Sequence, residues 1–355
     1  VHNLRAMRHG GEPLDFALEF DTLFADRLAN RDFAALADVE SLGTLLPAAH
    51  PTVDHYLPAL AVAGASDARD DLTFMTDANW IRADGRPGPT GEGGFQAEPG
   101  RYRLYVALIC PGASRTLIAR MLKGLEDMIE VTVVNPTLTD QGWCFGGFPG
   151  AVEDPLFGAR YVHELYTRAD PKFTGRATVP VLWDMKRNVM VNNESADILR
   201  MLDTAFEHLV PSEIRLYPKS HAAEIDALNL RLYNLLNNGV YKAGFATTQA
   251  AYDEAMDGIF AMLDELEERL TGDFLFGDTL TETDIRTFVT LIRFDAVYHG
   301  LFKTNRREIR DYPRLWAYLA RIVQIPSVRN TVDMDHILHG YYSIKALNPL
   351  GVVPK

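Results

Sequence analysis

The chain has 355 residues, 47% of them hydrophobic and 23% charged, the balance of a globular protein long enough for two domains. Its 35 Lys+Arg against 48 Asp+Glu leave a net charge of −13, which argues against a nucleic-acid or anionic-membrane surface. Two cysteines, Cys110 and Cys144, exclude a disulfide framework, and no apolar run approaches the roughly 20 residues that span a bilayer, so a soluble cytoplasmic protein with neither membrane nor nucleic-acid partner is expected.

Residues 1–72 carry helical patterning around Phe16 to Phe33, then Pro47, Pro51 and Pro58, with a short apolar stretch from Leu57 to Ala65 that reads as buried. Residues 84–100 are dense in Gly and Pro, a loop entering a new domain, so 1–99 is expected to be an extension with its entry loop. Next, Arg103 to Ile109 reads as a buried strand and Pro111 to Gly124 as a helix; Val131 to Val134 is a strand and 155–168 a helix. Val179 to Trp183 and Val189 to Val191 read as strands, and Ser195 to about Phe206 as a helix. This β-α-β-α-β-β-α order predicts a mixed sheet with flanking helices over 100–208.

Beyond His208 the strand patterns stop. Segments 222–237, 247–270, 282–300 and 312–324 have helical periods, predicting an all-α domain over 209–345 and a tail over 346–355. Thr281-Glu-Thr-Asp284 is a capping-box variant flanked by Leu280 and Ile285 at hydrophobic-staple positions, a structural signal with no catalytic content.

Three motifs could carry chemistry. Cys110 ends the predicted strand and is followed by Pro111, a residue favoured in the first helical turn. A thiol at a helix N-terminus meets unpaired amides and the positive end of the helix dipole, which favour a thiolate. On these facts alone an inert buried cysteine is an equal reading. Cys144 stands in the Gly-rich GWCFGGFPG loop with no partner in sequence. Val179-Pro180 begins a strand, where proline fits an edge or a cis turn that exposes the Val179 backbone to a peptide-like ligand. Ser195 reads as the N-cap of the next helix, whose free amides suit a carboxylate. Taken singly, an edge proline and a plain cap are the simpler readings.

The order of these motifs, with the stretches RYRLYVALICPGASRTLIARMLKGLE, VVNPTLTDQGWCFGGFPGA, TVPVLWDMKRNVMVNNESADILRM, NNGVYKAGFATTQAAYDEA and LTETDIRTFVTLIRFDAVY, resembles the glutathionyl-hydroquinone reductases, or xi-class glutathione transferases, over about residues 73–352. The resemblance implies an α/β plus all-α architecture: a thioredoxin-like glutathione-binding domain followed by a transferase-type helical domain. It also implies a homodimer and glutathione as co-substrate, with no metal. Cys110 would attack the sulfur of an aromatic glutathione conjugate and leave a mixed disulfide that a second glutathione resolves. Trp143, Arg176, Val179, Glu194 and Ser195 fall where the family holds glutathione, and Tyr241 and Tyr341 near its aromatic substrate.

Those residue types suit the tripeptide. Arg176 can pair with a carboxylate, Glu194 with the ammonium and the Ser195 helix end with the other carboxylate, while Val179 offers its backbone. One departure stands beside the nucleophile. The family usually has Cys-Pro-Trp-Ala where this chain reads Cys110-Pro111-Gly112-Ala113, so a wider acceptor pocket is expected. Two alternatives remain at this stage: an omega-like thiol transferase or dehydroascorbate reductase, and a glutathione-conjugate binding protein without turnover.

Overall fold

The computed structural model describes residues 81–82 and 94–354, together with residues 19–20, 22–24, 26–27, 32, 35–36 and 38. The chain divides into two compact units, Val1–Met75 and Thr76–Lys355. In the first, the described residues between 19 and 27 are helical, and Phe20 stacks on Phe24 at 6.1 Å between ring centroids, the contact that an i, i+4 spacing allows. The apolar stretch from Leu57 to Ala65, the prolines before it and residues 84–93 of the Gly/Pro-rich loop lie outside the described residues.

In the second unit a parallel pair, β1 (Ile81–Arg82) with β2 (Phe95–Gln96), precedes a four-stranded mixed sheet. The strands β3 (Tyr102–Val106), β4 (Ile129–Val133), β5 (Val181–Asp184) and β6 (Val189–Asn192) lie in the order β4-β3-β5-β6. β3 runs parallel to β4 and antiparallel to β5. All five residues of β3 are buried, as a central strand covered on both faces requires. Helices α1 (Pro111–Leu122), α2 (His163–Ala169) and α3 (Ser195–Thr204) accompany the sheet, with α1 packed on α3. This is the expected thioredoxin-like arrangement.

The strand read as Arg103 to Ile109 is shorter than its apolar run. Pairing stops at Val106, where the partner strands end, and residues 107–110 turn, with the Cys110 amide donating to the Ala107 carbonyl at 2.9 Å. The helix expected over 155–168 begins only at His163. Before it, Asp154 accepts hydrogen bonds from the amides of Leu156, Phe157 and Ala159, which closes a turn instead.

The remaining chain is helical: α4 (Ala222–Leu232), α5 (Gly239–Gly244), α6 (Gln249–Arg269), α7 (Glu282–Arg293), α8 (Pro313–Gln324), α9 (Pro326–Arg329) and α10 (Met334–Tyr342). The capping box is present at the start of α7, where the Thr281 amide donates to Asp284 Oδ2 at 2.8 Å. Two helices expected to be continuous are not. π turns at Tyr233–Asn237 and Phe294–Tyr298 follow α4 and α7, each adding a residue to the turn and rotating what comes after. α7 packs on α1, so the N-terminus of α1 lies at the seam between sheet and helices. Among the described residues no helix is long and apolar enough to cross a membrane.

Candidate active site

Cys110 is the N-cap of α1, in extended backbone conformation, with Pro111 in the first turn. Its carbonyl accepts from the Ser114 amide at 2.9 Å, and its thiol donates to the Val179 carbonyl at 3.5 Å. The side chain is partly exposed and makes no capping hydrogen bond to the first helical turn. Arg115, on the same helix, is buried. Burial and the neighbouring Arg286 push its guanidinium down to about 10, and it feels the charges of Cys110 and Glu194.

The Val179–Pro180 peptide is cis. An edge position is not what accommodates the proline, because β5 lies inside the sheet. The approach to this bond is pinned by Tyr166, whose hydroxyl donates to the Thr178 carbonyl at 2.9 Å and accepts from the Thr178 amide at 3.1 Å and from Asn193 Nδ2 at 3.0 Å. The Val179 amide has no hydrogen-bond partner among the described residues, so this backbone is available to an extended peptide.

At the start of α3 the cap differs from expectation. Glu194, not Ser195, is the N-cap: its Oε1 accepts from the Ala196 amide at 3.0 Å. The longer side chain reaches the amide two residues on, so Ser195 becomes the first helical residue, buried, with Oγ donating to Glu194 Oε1 at 3.4 Å. Ser195 and Cys110 converge around Gly112. A Cβ built on Gly112 would stand 3.4 Å from Ser195 Oγ and 3.6 Å from Cys110 Sγ. The space left by the missing side chain therefore opens first between the thiol and the α3 cap.

The helical layer supplies three tyrosines. Tyr241 OH lies 2.5 Å from Tyr341 OH, which lies 2.9 Å from Tyr298 OH. Their rings and that of Phe302 form one cluster, with centroid separations of 5.1 to 6.0 Å. Desolvation holds all three phenols above their ordinary pKa, keeping them neutral donors, and a charge on Cys110 pushes Tyr241 and Tyr298 further up. Tyr342, next in sequence, turns elsewhere and donates to the Ala296 carbonyl at 3.4 Å.

Two glycines admit this arrangement. A Cβ on Gly340 would come 2.5 Å from Ile109 Cδ1 and 2.7 Å from the Pro136 carbonyl, so α10 can bring Tyr341 to the cysteine turn only with glycine there. On Gly244 it would come 2.5 Å from the Phe302 ring.

The structure thus brings together Cys110, Val179, Ser195 and the Glu194 cap, and separately Tyr241 with Tyr341. Trp143 and Arg176 stand on neighbouring loops. Trp143 is half-buried, its carbonyl accepting from the Val162 amide, and Arg176 is exposed; neither side chain makes a hydrogen bond among the described residues. Cys144 is a backbone partner of Tyr161 and Asn135, and burial pushes its thiol up, away from reactivity. No group of three or more His, Cys, Asp or Glu side chains among the described residues is placed to hold a metal ion. Sequence reading passed over Tyr298 and Arg293, although both lie in the quoted LTETDIRTFVTLIRFDAVY stretch.

Comparison with known proteins identifies the fold and the family. Residues 109–205 match the glutathione S-transferase N-terminal domain and residues 249–321 the C-terminal domain. The chain is 51% identical over 278 residues to glutathionyl-hydroquinone reductase YqjG of Escherichia coli, covering 78% of this chain and 85% of that protein. It is 48% identical to glutathionyl-hydroquinone reductase PcpF of Sphingobium chlorophenolicum, covering 74% and 85%. Among solved structures, the glutathione-bound form of YqjG superimposes with a TM-score of 0.77 at 49% identity, covering 79% of this chain and 92% of that one. The glutathione S-transferase Xi of Phanerochaete chrysosporium superimposes with 0.75 at 46%, covering 80% and 96%.

Proposed function

The chain belongs to the glutathionyl-hydroquinone reductases, the xi class of glutathione transferases, and on that premise we propose that it removes glutathione from glutathionyl-hydroquinones through Cys110. The observation that carries the reading is the placement of Cys110: a partly exposed thiol at the N-cap position of α1, on the Val179 carbonyl, with the Tyr241 and Tyr341 hydroxyls nearby in the helical layer.

In the first step the Cys110 thiolate attacks the sulfur of the conjugate. An S–S bond forms as the aryl C–S bond breaks; the electron pair passes to the ring carbon, which takes a proton, and the hydroquinone leaves. In the second step a glutathione thiolate attacks the glutathione sulfur of the mixed disulfide. Glutathione disulfide departs and the Cys110 thiolate returns. Two thiol-derived sulfurs are oxidised to a disulfide while the aryl carbon is reduced, so the exchange balances.

The chain's own groups suit these steps. The α1 N-terminus favours the anionic sulfur, and the free Val179 amide suits the cysteinyl backbone of glutathione. The α3 cap offers Ser195 and helical amides to a carboxylate, and Glu194 keeps one carboxylate oxygen for the ammonium. Arg176, exposed and without a partner among the described residues, can take the other carboxylate. The neutral tyrosine hydroxyls can hold the phenolic oxygens and supply the ring proton. Residues 100–208 then act as the glutathione domain and 209–345 as the acceptor domain, in an enzyme expected to be a homodimer.

Turnover of a synthetic glutathionyl-hydroquinone in the presence of glutathione tests the reading. Wild type should release hydroquinone, and Cys110→Ala should lose that release while binding glutathione within a few-fold of wild type by calorimetry. Undiminished turnover by Cys110→Ala overturns it.

A further inference from the structure

Arg293 ends α7 and is 2% exposed, yet among the described residues it pairs with no carboxylate. Buried arginines ordinarily have one. Its four hydrogen bonds go to neutral oxygens instead: Nε to the Ile109 carbonyl at 3.0 Å, Nη2 to the Leu108 carbonyl at 2.9 Å and to Ser114 Oγ at 2.8 Å, and Nη1 to the Val289 carbonyl at 2.7 Å. Ser114 Oγ donates in turn to the Cys110 carbonyl at 3.1 Å. The guanidinium therefore grips the two residues before the cysteine and, through one hydroxyl, the cysteine itself.

We propose that Arg293 is the positioning residue of the nucleophile: its planar fork fixes the Leu108–Cys110 turn from the helical domain and thereby holds the Cys110 thiol on the Val179 carbonyl. A lysine could supply the charge but not bridge carbonyls and a hydroxyl in one plane. The other groups that act on the thiol do not replace it. Arg115 lies on the same helix beside Arg286, whose charge is shared with Glu282. Glu194 contributes negative charge from the α3 cap, and Tyr241 and Tyr298 are neutral. The inference rests on the reading of Cys110 as the nucleophile.

Alkylation of the full chain by iodoacetamide at pH 7, followed by peptide mapping with Cys144 as internal reference, tests the positioning without any quinone. In Arg293→Gln, Cys110 alkylation should fall about threefold, with Cys144 unchanged. Arg293→Lys, which cannot bridge the two carbonyls and the hydroxyl, should also lose about tenfold in kcat on the conjugate, its KM for glutathione staying within threefold. Ser114→Ala, which removes one arm of the fork and suits a helix, should lower kcat about threefold at constant KM, and it carries the test if Arg293→Gln does not fold. Wild-type alkylation and kcat in all folded variants overturn the proposal, as does an equal change at Cys110 and Cys144. Should wild type fail to turn over the conjugate while the alkylation pattern holds, the functional reading falls and the role of Arg293 stands.

Discussion

The Tyr241 hydroxyl lies 2.5 Å from that of Tyr341, a hundred residues further along the chain, and Tyr341 also meets Tyr298 at 2.9 Å. Tyr341 is the middle of the three. Its replacement by Phe breaks two contacts, whereas Tyr241→Phe breaks one.

Steady-state kinetics should separate these variants. Tyr341→Phe is expected to lower kcat on a glutathionyl-hydroquinone by about tenfold and Tyr241→Phe by about threefold, the range for one positioned proton donor or hydrogen bond. Glutathione affinity should stay within a factor of three for both. Equal and large losses of glutathione binding would place the tyrosines on the wrong half of the site.

The same cluster predicts alkaline instability. Burial raises the folded-state pKa of Tyr241, Tyr298 and Tyr341, so the unfolded chain releases its phenolic protons first, near the ordinary value of about 10. Above that pH the native state binds more protons than the unfolded state, and stability falls as pH rises. Thermal melts between pH 9 and 12 should show the loss beginning near pH 10, and Tyr341→Phe should blunt its slope. A slope unchanged by this substitution would contradict the assignment.

Gly112 and Gly244 make opposite predictions from the same chemical change. Gly112 has ordinary backbone angles and room for a methyl group, so Gly112→Ala should stabilise the first turn of α1 by up to about 1 kcal/mol. Gly244→Ala drives a methyl group into Phe302, which packs on Tyr241 at 5.3 Å, and should cost about 1 to 3 kcal/mol and raise KM for the conjugate. Chemical denaturation of both variants checks the signs.

Local signals were legible in the sequence, and long-range ones were not. Cys110-Pro111 marks a helix start, and Thr281 to Asp284 marks another, because both depend on neighbours within one turn. Pro180 left edge and cis open, since only the sheet order places β5 inside. Ser195 reads as a cap by residue preference, but the Glu194 carboxylate reaches the Ala196 amide first. The π turn at Phe294–Tyr298 leaves hydrophobic spacing intact while turning Tyr298 toward Tyr341, so periodicity could not show it. Arg293 is hidden for a different reason: its partners at Leu108 and Ile109 are backbone carbonyls some 185 residues away, which no residue pattern marks.

The mixed disulfide is the central claim, and a single turnover tests it most directly. One equivalent of glutathionyl-hydroquinone is mixed with the enzyme without free glutathione, quenched in acid and analysed by peptide mass spectrometry. The account predicts one equivalent of hydroquinone released together with a glutathione adduct on Cys110, no adduct on Cys144, and loss of the adduct on adding glutathione. Hydroquinone released with Cys110 unmodified, or an adduct formed on Cys144 instead, would contradict it.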